Sequence, residues 1–141
     1  MKTRDEKRAE MTRELLDLFQ EEGFRILGVC GAMGYPSPAP IHNDGYGDQQ
    51  DKIPDVLAYD DQKKCFVIGL VITGDESLES EELLTEYNVF LDQKDAVTDE
   101  PHRLYILLPP ALTSDLTALL THYIHREYWH KLVLVPSERH P

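Results

Sequence analysis

The 141-residue chain predicts one α/β domain, a mixed sheet flanked by helices, spanning residues 1–141. Three observations predict it. Lys64 to Thr73 is nearly continuous apolar sequence of strand length, as expected of a central strand covered on both faces. Leu83, Leu84, Tyr87, Phe90 and Leu91 form a helical stripe, and Leu116, Leu119, Leu120, Tyr123 and Ile124 form another. The elements run helix, strand, strand, strand, helix, strand, helix, strand, so the first three strands suggest a meander and the later connections pass through helices.

Thr3 to Glu22 reads as a helix with Leu15, Leu16 and Phe19 on one face and Gly23 as its stop. Five bases (Lys2, Arg4, Lys7, Arg8 and Arg13) fall in its first part, interleaved with Asp5, Glu6 and Glu10 as on a solvated helix end. Phe24 to Val29 is a short strand. Cys30 to Asp51 then runs 22 residues with four glycines, three prolines and no periodicity, a loop long enough to suggest function. Within it Pro36-Ser37-Pro38-Ala39-Pro40 favours an extended, stiff surface segment. Asp55 to Tyr59 is the next strand, Asp60 to Lys63 the turn, and Lys64 to Thr73 the long strand. Gly74 to Ser80 reverses the chain, and Ser77 or Ser80 is available to cap the following helix. Arg103 to Leu108 is a strand stopped by Pro109-Pro110. Ser114 is placed to cap the last helix, and Leu132 to Val135, closed by Pro136, is the final strand.

A chain of this length buries roughly two thirds of its unfolded surface. No apolar run approaches the ~20 residues of a membrane span, and the charged start is not a signal peptide, so the cytoplasm is the expected compartment. Cys30 and Cys65 lack metal-ligand spacing and read as half-buried strand thiols. Asp44 to Glu100 holds 16 acidic and 4 basic residues and carries the whole net charge of −12. Such a segment repels phosphate, which argues against direct nucleic-acid binding and for a protein partner or self-association.

Pro54-Asp55 followed by apolar Val56, Leu57 and Ala58 resembles the opening half of the PD-(D/E)XK motif of the restriction-endonuclease-like superfamily. The element order resembles that superfamily's core over nearly the whole chain. The resemblance implies an acid, one residue and a lysine on the next strand, just before Thr or Ser. Counting back from Thr73, the acid's place is held by Leu70 and the lysine's by Ile72. In the superfamily the two acids hold Mg²⁺ or Mn²⁺ and the lysine helps activate water. Mg²⁺ wants near-octahedral oxygen ligands, so Asp55 alone is a weak anchor.

Asp55 is the one candidate metal ligand of the motif, and no catalytic residue is assigned. Glu14 on the first helix, Asp75 and Glu76 beyond the third strand, Glu82 and Glu86 on the next helix, and Lys94 are the residues that a displaced site would use. A structural role, capping the loop before its strand, is the competing reading of Asp55. Ile68, Leu70 and Ile72 share a face, and a carboxylate among them needs hydrogen-bond donors. His122 and His125 are a turn apart, but both belong to the side opposite Leu120 and Ile124, with no third ligand.

Three functions are compatible with this sequence. The first is a non-catalytic protein on a nuclease-like scaffold, acting through protein contacts and needing no cofactor. The second is a Mg²⁺- or Mn²⁺-dependent nuclease with a displaced site around Asp55. The third is an acidic mimic of nucleic acid that inhibits a basic partner. The aromatic residues Tyr123, Tyr128 and Trp129 are candidates for an interface or for the core.

Overall fold

A computed structural model describes residues 3–32, 34–93 and 100–140; Lys94 lies outside them. Helix α1 (Arg4–Glu21) is capped by Thr3, whose side chain accepts the Glu6 N–H at 3.1 Å. It is followed by strands β1 (Arg25–Val29), β2 (Val56–Asp60) and β3 (Cys65–Val71), helix α2 (Glu81–Leu91), strand β4 (Arg103–Leu108), helix α3 (Thr113–Tyr123) and strand β5 (Leu132–Pro136). The predicted order of elements is the observed one.

The five strands lie side by side in chain order. Strand β2 is antiparallel to β1 and β3, whereas β3, β4 and β5 are mutually parallel and joined through α2 and α3. A parallel pair needs a crossover connection, and each helix supplies one. Among the described residues no helix is long and apolar enough to cross a membrane.

Strand alternation divides the sheet between two cores. Met11, Leu15, Leu16 and Phe19 of α1 pack on Val56, Ala58, Val67 and Val71. On the other face Ile68, Leu70 and Ile72 meet Leu83, Tyr87 and Phe90 of α2 and Leu116 and Leu120 of α3. The central strand is thus covered on both faces, as its unbroken apolar sequence predicts. Gly69 lets α1 approach, since a Cβ there would lie 2.8 Å from Leu15 Cδ2.

Several boundaries differ from the sequence reading. Ser80, not Ser77, caps α2, accepting the Leu83 N–H at 3.2 Å. Ser114 caps nothing: a 3₁₀ turn, Pro110–Leu112, leads straight into α3, because proline's fixed φ already starts the helical path. Tyr123, expected inside, is 49% exposed, because α3 ends there and Ile124 turns inward alone. Cys30, expected to be half-buried in a strand, lies in the turn after β1 and is exposed; Cys65 is buried. Asp60 ends β2 rather than opening the turn.

The long loop is more ordered than its composition suggests. Its proline segment lies along β1: the Val29 N–H donates to Pro36 O at 2.9 Å. Pro38 sits on Gly28, where a Cβ would come within 2.7 Å of the proline backbone. Farther on, Ile41 and Lys52 form a bridge. Buried Asn43 ties that lobe together by donating to the carbonyls of Tyr46 and Gln50.

Candidate functional site

Asp55 stands at the head of β2, with its backbone already bonded on both sides. Its carbonyl accepts the Cys30 N–H and its own N–H donates to Gly69 O, both at 2.9 Å. Those bonds fix the carboxylate at one end of the sheet, between α1 and α2. Its Oδ2 accepts the Val71 N–H at 2.8 Å. Arg8, on the second turn of α1, donates from Nε to Oδ1 at 3.2 Å and from Nη2 to Oδ2 at 3.0 Å. Such a two-pronged guanidinium–carboxylate pair is the strongest geometry open to these groups.

Asp55 is 5% exposed. Burial pushes its carboxyl above the usual range, while the Arg8 guanidinium and the Val71 N–H pull it back. For Arg8, burial is opposed by the charges of Asp55, Glu86 and Glu76, and the net effect holds the guanidinium even more firmly protonated. The Arg8 side chain is 35% exposed, so one side of the pair meets solvent.

Glu86 of α2 belongs to the same neighbourhood. Its carboxyl is pushed up to about 7, first by burial, then by the negative charges of Asp55 and Glu82. Its Oε2 is buried and has no hydrogen-bond partner among the described residues. Asp55 and Glu86 both feel the Arg8 guanidinium, and Glu86 also feels the Lys52 charge.

The other proposed rescuers are committed elsewhere. Glu76 closes the turn after β3, accepting the Thr73 N–H at 2.8 Å and the Thr73 hydroxyl at 2.7 Å. It still reaches Asp55 and Arg8 through its charge. Asp75 and Glu82 are exposed. Glu14 is buried under the C-terminal segment, where it accepts from Ser137 Oγ at 2.7 Å and from the Glu138 N–H at 2.9 Å. Leu70 and Ile72, in the acid and lysine places of the motif, are 1% and 0% exposed within the α2/α3 core. Among the described residues, no three His, Cys, Asp or Glu side chains converge as a metal-holding group.

The histidines do not form a second centre. His122 and His130 are exposed, and His125 lies beyond α3, where its ring accepts the Glu127 N–H at 3.3 Å.

The sequence reading did not find Arg8 as the partner of Asp55, although the signal was present. Arg8 lies seven residues before Leu15, on the inward stripe of α1, and a base there needs a buried acid. Comparison with protein-family models, curated proteins and solved structures finds no match to this chain.

Proposed function

We propose that this chain is a non-catalytic protein on a restriction-endonuclease-like scaffold, acting through protein contacts. The observation that carries this reading is the Arg8–Asp55 pair. The carboxylate that would anchor a divalent cation is bonded instead by an arginine of its own chain and by the Val71 N–H. A guanidinium supplies the positive charge there and offers no open coordination position. The helix–strand–strand–strand–helix–strand order and the place of Asp55 ahead of the long strand support the scaffold assignment. Aliphatic Leu70 and Ile72 support the loss of chemistry.

A second reading, a metal-dependent nuclease with a displaced site, draws on one observation: the unpartnered Oε2 of Glu86. The donor set does not fit a Mg²⁺ or Mn²⁺ ion as it stands. Both Asp55 oxygens are engaged, Glu76 is held in its turn, and Arg8 sets a fixed positive charge against Asp55.

Thermal unfolding with and without millimolar Mn²⁺, on the parent and on Asp55→Asn, separates the two. The expected result is no melting-temperature response from either protein. A rise in the parent that Asp55→Asn abolishes would make Asp55 a ligand and revive the nuclease.

A further inference from the structure

We propose that β5 pairs edge to edge with β5 of a second copy of this chain, antiparallel about a two-fold axis at Leu134. The proposal deepens the protein-contact reading by naming the partner, and rests on that reading for its functional meaning.

The Ser137 N–H donates to Leu108 O of β4 at 2.8 Å. Because successive residues of a strand turn their backbone groups to opposite sides, Leu132, Leu134 and Pro136 present theirs outward. No described strand pairs with that outer side. The Leu132 N–H is already taken by Trp129 O, and Pro136 has none to give. Leu134 therefore holds the one outward N–H of the strand that has no partner among the described residues.

This pattern is self-complementary. In an antiparallel pairing centred on Leu134, the two Leu134 residues exchange both N–H···O=C bonds. Each Pro136 then falls opposite a Leu132 of the other copy, where neither has a donor to leave unmatched. A register shifted by one pair would set a free N–H against a residue that returns none.

Side chains and charge favour the same partner. Beside the edge, Leu120, Trp129, Leu132 and Leu134, with Thr117 and Thr121, line a groove of about 220 Å³ that has no charged side chain. Trp129 is 41% exposed. The strand Leu132–Pro136 carries no lysine or other charge of the kind that guards a solitary edge. The chain as a whole is strongly acidic, yet residues 101–141 hold four basic and three acidic residues, so two copies approach there without the general repulsion. In the same register exposed Glu138 of each copy falls opposite exposed His130 of the other.

The interface is small, so association is expected to be weak, with a dissociation constant on the order of tens of micromolar. Multi-angle light scattering of the full chain from about 5 to 500 μM should show mass rising from monomer to dimer. Amide exchange at Leu134 should slow over the same range. Leu134→Pro removes the outward N–H but none of the bonds to β4, and should remain monomeric with an unchanged far-UV spectrum. Trp129→Glu, which leaves the strand intact, should do the same and decides the matter if Leu134→Pro fails to fold. A parent that stays monomeric throughout overturns the proposal, as does a dimer that survives Trp129→Glu with Leu134 exchanging freely. Neither variant touches Arg8, Asp55 or Glu86, so the Mn²⁺ experiment judges the non-catalytic reading separately.

Discussion

Strand β2 has an aspartate at each end, and each is held by an arginine from another element. At its head Asp55 takes both prongs of Arg8 from α1; at its tail Asp60 takes Arg103 from β4. The surroundings differ. Asp60 also accepts the N–H groups of Gln62 and Lys63 at 3.0 and 3.2 Å, shaping the β2–β3 turn. Arg103 lies over the Phe24 and Tyr105 rings at 5.2 and 5.9 Å. That end is a structural joint, although Arg103 Nε is buried there without a hydrogen-bond partner among the described residues. The Asp55 end also feels the charge of Glu76, and beside it Glu86 Oε2 is buried without a hydrogen-bond partner among the described residues. An Arg–Asp pair by itself is therefore no sign of a site; a further buried carboxyl pushed up in pKa beside one is the distinguishing feature.

Substitutions around the two ends of β2 test this difference. Leu70→Glu, which places an acid where the proposed scaffold would carry one, buries a carboxylate among aliphatic groups at a place 1% exposed. It should cost roughly 4 kcal/mol or more and give no metal response, measured by urea unfolding with and without Mn²⁺. Arg8→Met leaves Asp55 buried with one backbone donor. It should cost about 3 kcal/mol at pH 7, with part of the loss regained as acid protonates Asp55. Arg103→Met should cost less, about 2 kcal/mol, because Asp60 keeps two backbone donors. Equal losses at the two ends would remove the contrast drawn here.

Glu86→Gln should act in the opposite direction. The folded-state carboxyl titrates near 7 and its ordinary value is 4.5, so the folded chain binds this proton more tightly than the unfolded chain. Stability is then lost as pH rises from about 4.5 through 7, and regained as it falls. Glutamine removes that loss. The variant should be more stable than the parent by roughly 1–2 kcal/mol at pH 8, allowing for the partial exposure of the side chain, and indistinguishable near pH 4. A gap that does not change with pH would mean that Glu86 finds a partner when charged. The smallest effect belongs to Arg25→Gln. Its pair with Asp61 stands 59% and 56% exposed next to the Asp60 joint, and the urea midpoint should scarcely move.

Much of the fold was legible in the chain because its signals are local and periodic. The unbroken apolar run before Thr73 marked the central strand, and the stripes from Leu83 and Leu116 marked the two crossover helices. What failed was where local rules compete. Ser114 is a good cap by composition, but Pro110 had already set the helical path. Tyr123 fits the stripe of α3, but it sits on the helix's final turn, where the inward face is no longer covered.

The candidate site was half legible. Asp55, Leu70 and Ile72 could be named through the resemblance to the restriction-endonuclease-like motif, and the acidity of the middle segment from composition. The order of elements and the two-sided burial of β3 follow from the chain's own periodicity. The fold alone brings Arg8, 47 residues from Asp55, onto it, buries Glu86 Oε2 without a hydrogen-bond partner among the described residues, and lays the proline segment along β1 while no described strand pairs with the outer side of β5. The physical reason is that periodicity reports which face of an element is inward. Which charge meets which inside depends on how far apart folded elements come to rest.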